Sequence, residues 1–384
     1  MTASPIRPGA TLGLLGGGQL GRMFALAARK MGYRVHALDP GEDCPAGQVA
    51  DVEVRADYGD AGAAREMAKG VAVMTVEFEN IAAATLEAVA EVCPMRPGAS
   101  VLHTVQHRLR EKRFLTQHGF PVTPFREINT EANLRAAAAE LGLPAVLKTA
   151  AFGYDGKGQQ KLDAGTDLAA AFAALKGTQG ILEAFVPFEK EVSVIAGRAA
   201  SGETCAWDVA ENAHANHILD TTVFPARVPA EVAAEAKRLG QAIAEALGMV
   251  GVLCVEFFLL PGGKLLVNEI APRPHNSGHA TIDACVTSQF EQQVRAVCDL
   301  PLGDTRLHRP AAMANLLGDI WPAFHGGEGE PAWEKLLAFP DVKLHLYGKT
   351  EARKGRKMGH LTALADTPEA ALARVLEARA ALLG

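Results

Sequence analysis

The stretch TLGLLGGGQLGRM, residues 11–23, joins an apolar run to a helical pattern through a glycine turn. Gly16, Gly18 and Gly21 match G-x-G-x-x-G. That spacing predicts a strand, a tight turn and a helix whose first amides face an anion. Asp39, in YRVHALDP, lies about twenty residues further on, where a dinucleotide fold carries its ribose carboxylate. Two readings follow: a nicotinamide-dependent oxidoreductase, or the same turn serving another phosphate.

The chain continues the alternation. Strands are predicted at residues 11–15, 33–38 and 71–78, with helices at 20–31 and 82–92. Strands alternating with helices predict a parallel sheet covered on both faces. A basic helix spans 103–119. A smaller unit follows, with helices at 131–141 and 167–175, strands at 145–149, 159–162 and 181–185, and a glycine-rich loop at 153–158. Strands near 191–196 and 205–210, a helix at 230–247, a hairpin at 250–270 and a helix at 289–299 make a larger unit. From His308 the pattern turns irregular. These breaks divide the 384 residues into 1–105, 106–187, 188–305 and 306–384.

Composition narrows the function. The formal net charge is −6, so no global field attracts nucleic acid or an anionic membrane. Cys44, Cys93, Cys205, Cys254, Cys285 and Cys298 form no C-x-x-C pair and several sit in apolar runs. They read as buried free thiols of a reducing compartment. The opening MTASPIRPGA has no apolar signal core, and no segment approaches the roughly 20 apolar residues of a membrane span. A cytoplasmic location is therefore expected.

The hairpin GVLCVEFFLLPGGKLLVNEI carries two acids. With Pro261–Lys264 as a four-residue tip, Glu256 lies directly across from Glu269. Two carboxylates side by side among Val, Leu and Phe repel and are costly to bury, so a cation belongs between them. Mg²⁺ suits such oxygen donors, and Asn268 can add an amide oxygen. The alternative is one carboxylate at an edge and one in an ion pair.

LKTAAFGYDGKGQ sets Lys148 in a strand before Gly153, Gly156 and Gly158. It is not a P-loop, but glycine amides with Lys148 and Lys157 suit a flap over a nucleotide. An ordinary flexible hairpin loop has the same pattern. In ILEAFVPFEKEVSV, Glu183 and Glu191 flank a bend whose backbone can face an adenine edge and a ribose. Solvent-facing glutamates beside a turn fit that pattern equally. APRPHNSGH, stiffened by proline, clusters Arg273, His275, Asn276 and Ser277 into an oxyanion site beside the proposed metal. YGKTEARKGRKMGH is either a solvated charged face or a phosphate patch built on Lys349, Arg353, Lys354, Arg356 and Lys357.

Together GLLGGGQLGRM, TVEFENI, FGYDGKGQ, VEFF, VNEIAPRPHNSGH and GRKMGHL resemble the ATP-grasp superfamily. Within it the pattern is similar to the N5-carboxyaminoimidazole ribonucleotide synthetases of purine biosynthesis. The resemblance implies an α/β architecture: a Rossmann-like N-terminal domain, a two-part ATP-grasp unit and a small β-rich C-terminal domain. It implies ATP- and Mg²⁺-dependent carboxylation of aminoimidazole ribonucleotide by bicarbonate, in a homodimer. By motif, the ATP site is Arg108, Lys148, Gly153, Tyr154, Asp155, Gly156, Lys157, Gly158, Gln159, Glu183, Ala184, Phe185, Val186, Glu191, His214, Asn268 and Glu269. Glu256 and Glu269 are the implied metal ligands. The ribonucleotide and bicarbonate would meet Glu77 or Glu79, Tyr154, Asp155, Lys157, Arg273, His275, Asn276, Ser277, Lys349 and Arg356. Lys148 and Arg273 would neutralise the transferring phosphoryl group, and Asp155 or His275 would take the amine proton. In this reading the glycine turn offers the Gln19 and Leu20 amides to the substrate's 5′-phosphate, and Asp39 is an ordinary residue at a strand end. Another ATP-grasp ligase, a non-catalytic nucleotide binder and the oxidoreductase are the alternatives.

Overall fold

A computed structural model describes residues 4–151 and 158–382. Its first unit is the α/β layer that the alternation predicts. Strands β1 (Thr11–Leu15), β2 (Arg34–Asp39), β3 (Val52–Arg55) and β4 (Val73–Val76) form a parallel sheet in the order β3-β2-β1-β4. Helices α1 (Gln19–Lys30), α2 (Ala61–Ala68) and α3 (Ala83–Ala90) connect them, and α4 (Ala99–Val105) and α5 (Arg108–Gln117) lead onward. Leu12, Leu14 and Leu15 are buried because both faces of β1 are covered.

The second sheet is small and antiparallel. It contains β5 (Phe125–Ile128), β6 (Ala145–Thr149), β7 (Gln159–Leu162) and β8 (Gly180–Ala184) in the order β5-β8-β6-β7. Helices α6 (Glu131–Leu141) and α7 (Leu168–Ala173) bury Leu134, Ala137 and Ala171 against Leu147 and Leu182.

The third sheet has nine strands: β9 (Lys190–Arg198), β10 (Thr204–Ala206), β11 (Ala210–Ala215), β12 (Ile218–Phe224), β13 (Gly251–Leu259), β14 (Leu265–Ala271), β15 (Ala311–Leu317), β16 (Val342–Leu346) and β17 (Lys357–Leu364). The order is β14-β13-β9-β11-β12-β15-β17-β16, with β10 on β9. The segment after His308, irregular by pattern, supplies β15, β16 and β17 to the same sheet that holds the acidic hairpin. Its apolar alternation is broken by turn-rich inserts, which hides the strands from a period count. Helices α8 (Ala230–Ala246), α9 (Thr281–Ala284), α10 (Gln289–Val297), α11 (Trp333–Leu337) and α12 (Pro368–Ala380) cover this sheet and its edges. Phe290, Val294 and Val297 of α10 share one core with Met23, Phe24 and Ala28 of α1. That core fixes the glycine turn against the acidic hairpin's unit.

The hairpin register corrects the predicted tip. Leu259 pairs with Leu265, so the tip is Leu260–Lys264 and holds five residues rather than four. Continued without a break, that register would set Glu256 opposite Asn268. A β-bulge between Glu256 and Phe257 adds one residue on β14, and Glu256 faces Glu269 after all. The bulge also switches faces. Leu265 and Val267 point into the apolar core, and beyond the bulge Ile270 does so. In an unbroken strand Glu269 would share the face of Leu265 and Val267. With the bulge, Asn268 and Glu269 both border the cleft.

Candidate functional site

The second and third sheets, with the start of α1 and the segment that follows β4, wall one cleft of about 1110 Å³. At its centre stand Glu256 and Glu269. Burial, then the facing Glu269, pushes Glu256 up to about 8. Glu256 is half-buried but Glu269 is exposed, so the burial expected of both acids holds only in part. Hard oxygen donors that repel each other across one strand pair fit a divalent cation, with Asn268 alongside. Glu256, Glu269 and Asn268 are the residues that would hold Mg²⁺.

Beside them lies a buried ion network. Lys148 on β6 donates to Glu183 on β8 at 2.6 Å. Glu183 is 3 % exposed, so the solvent-facing reading of this glutamate is wrong. Burial alone would raise its pKa, but Lys112 and Lys148 hold it at about 2. Lys112 itself is 1 % exposed. Its Nζ donates to the carbonyls of Asn268 at 2.8 Å and Val267 at 3.1 Å. Lys112 thus ties the bulge to Glu183, 3.7 Å away.

Ala184, Phe185 and Val186 continue the wall from β8 toward β9. Phe188 stacks on Phe258 with ring centroids 4.8 Å apart and planes at 11°. Exposed backbone beside such apolar walls suits a flat heteroaromatic ring. Glu191 Oε2 lies 2.6 Å from His214 Nδ1. Burial pulls His214 down, but Glu191 carries it above its ordinary value. The Arg108 amide donates to Ala150 O at 2.8 Å and its guanidinium to Thr149 O at 3.3 Å. Gly153, Tyr154, Asp155, Gly156 and Lys157 lie outside the described residues. Gln159 borders the cleft and lies 3.3 Å from His217 Nδ1; Gly158, at φ +73°, does not border it.

The far end is the glycine turn. Glu77 accepts from the amides of Gly18 and Gly21, each at 2.6 Å. A Cβ on Gly18 would sit 2.3 Å from Glu77 Oε1. Glu77 therefore caps α1 with a side chain from the end of β4, and burial raises its pKa against those amide bonds. Gln19 and Leu20 border the cleft. Among the described residues no acceptor faces their amides. Asp39 is not an ordinary strand end: it accepts from Gly17 N at 2.8 Å, Gly41 N at 2.8 Å and the Tyr58 hydroxyl. The acid that completes the nicotinamide fingerprint thus pins the turn. Lys349 donates to Gln19 Oε1 at 2.8 Å and to Lys357 O at 2.6 Å.

Between the two ends runs the loop 271–279. Arg273 reaches Glu79 with Nε 2.7 Å from Oε2. His275 Nε2 is 3.4 Å from Glu256 Oε1. Burial, aided by Arg273 and Lys357, pushes His275 far below its ordinary pKa. Asn276 borders the cleft, is 8 % exposed, and neither its Oδ1 nor its Nδ2 has a partner among the described residues. A buried amide with both atoms unmatched is built to meet a ligand. Gln289 accepts from His275 N at 2.8 Å and donates to His275 O at 2.7 Å, which clamps the loop.

Glu77, Glu79, Arg273, His275 and Asn276 thus share one wall, but Ser277, Lys349 and Arg356 do not border the cleft. Ser277 is 1 % exposed and bonds inward. Arg356 donates to Glu351 O at 2.7 Å. Lys357, alone of the basic run, borders the cleft, and among the lining residues that the sequence reading did not name are Phe188 and Phe258. Lys112, behind the wall, escaped it too. Its signal was present, since it lies three residues from both Leu109 and Leu115 on the buried stripe of α5.

Comparison with known proteins agrees with this architecture. The ribonucleotide synthetase preATP-grasp domain matches residues 9–106, the ATP-grasp domain 113–290, and the phosphoribosylaminoimidazole carboxylase C-terminal domain 311–374. The N5-carboxyaminoimidazole ribonucleotide synthase of Bacillus subtilis is 46% identical over 362 residues, 94% of this chain and 93% of that one. A solved ADP complex of N5-carboxyaminoimidazole ribonucleotide synthetase is 44% identical, with a TM-score of 0.93 over 98% of each chain. The Aspergillus clavatus enzyme, solved with ADP and 5-aminoimidazole ribonucleotide, is 32% identical with a TM-score of 0.89, over 97% of this chain and 98% of that one. The chain belongs to the N5-carboxyaminoimidazole ribonucleotide synthase family of ATP-grasp ligases.

Proposed function

We propose that this protein uses ATP to carboxylate the exocyclic amine of 5-aminoimidazole ribonucleotide with bicarbonate, releasing ADP and phosphate. The observation that carries this reading is that the Glu256–Glu269 pair and the Gln19–Leu20 turn border one cleft. A nucleotide triphosphate end and a separate substrate phosphate can therefore occupy it together. Bicarbonate is a poor electrophile, so it is first phosphorylated. Its oxygen attacks the γ-phosphorus, the bond to ADP breaks, and carboxyphosphate forms. The C–O bond of carboxyphosphate then breaks to CO₂ and phosphate, and the amine nitrogen bonds to carbon and loses a proton.

The residues divide the work. Mg²⁺, held by Glu256, Glu269 and Asn268, would neutralise charge on the phosphates. Lys148 lies at the same end, fixed by Glu183. Arg273, pinned by Glu79, and the unpartnered amide of Asn276 face the space between the phosphate ends, where bicarbonate would sit. Phe185, Phe188 and Phe258 would flank the adenine. The flap around Asp155 would exclude water from carboxyphosphate. Lys349 and Arg356 would close on the ribonucleotide phosphate from the loop between β16 and β17. We place the reaction in the cytoplasm and in a homodimer.

The test is ADP release with ATP, Mg²⁺ and bicarbonate, with and without the ribonucleotide. Strong stimulation by the ribonucleotide is expected. No stimulation would count against the carboxylation. Nicotinamide binding, followed by NADH fluorescence, should be absent.

A further inference from the structure

A line of buried polar side chains runs from the middle of the nine-stranded sheet to His275. Thr222 Oγ1 on β12 donates to Asn212 Oδ1 on β11 at 3.0 Å. Asn212 Nδ2 donates to Ser193 Oγ on β9 at 2.9 Å. Ser193 Oγ donates to Ser277 Oγ at 2.8 Å, and Ser277 Oγ lies 2.9 Å from His275 Nδ1. All four partners are buried, and none of them borders the cleft.

The direction of this line fixes a proton. A hydroxyl has one hydrogen to donate. Ser193 gives its own to Ser277, so the Ser277 hydrogen goes to His275 Nδ1 at 2.9 Å, a closer and stronger acceptor than the Cys254 sulfur at 3.7 Å. The opposite direction would need every hydroxyl and the Asn212 amide reversed, with a proton on Nδ1. A backbone group decides between them. The Ser277 N–H donates to the same Nδ1 at 3.3 Å, and a backbone amide cannot reverse. Nδ1 is therefore a bare acceptor, and the ring proton sits on Nε2. That nitrogen faces the cleft and Glu256.

We propose that Ser277, Ser193 and Asn212 are positioning residues that hold His275 as its Nε2–H tautomer, so that His275 enters the cleft as a hydrogen-bond donor to an oxyanion and not as a base. The identity of that oxyanion, bicarbonate or the new carboxylate, rests on the carboxylation proposed above.

The full-length protein labelled with ¹⁵N-histidine tests this without turnover. Long-range proton–nitrogen correlation separates bare from protonated ring nitrogens, and the His275→Gln spectrum identifies the His275 signals. A bare Nδ1 and a protonated Nε2 are expected at neutral pH. A proton on Nδ1, or on both nitrogens, overturns the proposal. Kinetics give a second reading. Glutamine places an N–H donor near Nε2, so His275→Gln should keep kcat within about tenfold, while His275→Leu loses about 10²–10³-fold. Equal losses overturn the donor role. Asn212→Asp turns the amide donor into an acceptor and should draw the Ser193 and Ser277 hydrogens the other way. It should weaken the Nε2–H signal and lower kcat with little change in the KM for ATP. An unchanged tautomer there overturns the positioning role of Asn212. Failure of the ribonucleotide to stimulate ADP release would overturn the carboxylation and leave the tautomer standing.

Discussion

Lys112 is an ammonium group without water. It donates to Val267 O and Asn268 O and makes an ion pair with the Glu183 carboxylate 3.7 Å away. Breaking a buried pair on one side leaves the partner uncompensated, which costs about 3–5 kcal/mol. Lys112→Met should lose that much in urea unfolding. A loss below about 1 kcal/mol, the range of an exposed pair, would show that Lys112 is not part of a buried network. Glu269→Gln should behave oppositely. It removes the charge that raises Glu256, so the metal-free Tm should hold or rise, while ADP release is abolished. Near-normal ADP release would remove the pair from the phosphate end. At this scale the sequence was readable where the pairing is local: the two acids of one hairpin do face each other and border the cleft. It was unreadable where partners come from distant segments. Nothing in the chain order brings Lys112 to Asn268, or Glu77 to Gly18.

The glycine turn shows the same division at the level of elements. G-x-G-x-x-G predicted a strand, a turn and a helix, and β1, Gly16–Gly18 and α1 take those places. The motif does not say which acid caps the helix. Asp39 holds Gly17, and Glu77 holds Gly18 and Gly21. Gly18→Ala would drive its Cβ into Glu77 and free the two amides from their acceptor. Lost capping of this kind costs about 1 kcal/mol. The variant should lose stability by about that much, and its KM for the ribonucleotide should rise more than its KM for ATP. The reverse order would place the substrate phosphate elsewhere. The resemblance implied a β-rich C-terminal region, but the pattern alone did not place its strands, because turn-rich inserts separate β15, β16 and β17. Their pairing is long-range, and a local period count cannot register it.

Across the whole molecule, the cleft depends on joints between units. One joint is a stack of imidazoles. His345 on β16 lies 4.5 Å from His360 on β17, and His360 lies 4.7 Å from His279 at the end of the 271–279 loop. Burial takes His279 down to about 3 and His360 far below its ordinary range. Both unfold to an ordinary histidine near 6.5, so the folded chain binds fewer protons than the unfolded one. Stability is fully present above that value and falls as pH drops from about 6.5 toward 3. Between about pH 6.5 and 5, one such group contributes a loss of at most about 2 kcal/mol. Urea midpoints should fall over that range, and fall less in His279→Gln. Equal slopes would mean that the stack does not set acid sensitivity. Arg356→Ala tests whether the loop between β16 and β17 closes on the substrate: it should raise the KM for the ribonucleotide with much less effect on ATP, and the reverse pattern would refute that closure.

The bulge on β14 has a consequence for how the chain can vary in length. It acts as a frame shift in a two-letter pattern of inward and outward residues. Upstream of Asn268 the odd-numbered residues face the core; downstream the even-numbered Ile270 does. Losing one residue at position 268 would merely remove the shift. Every side chain after it would stay on its present face, and Glu269 would still meet Glu256. Losing Leu266 instead would turn Val267 toward the cleft and Asn268 toward the apolar layer. One-residue gains and losses in this hairpin should therefore collect at the tip and be absent from residues 265–267; loss at 268 would keep every face but remove the Asn268 amide beside Glu269 and an acceptor of Lys112.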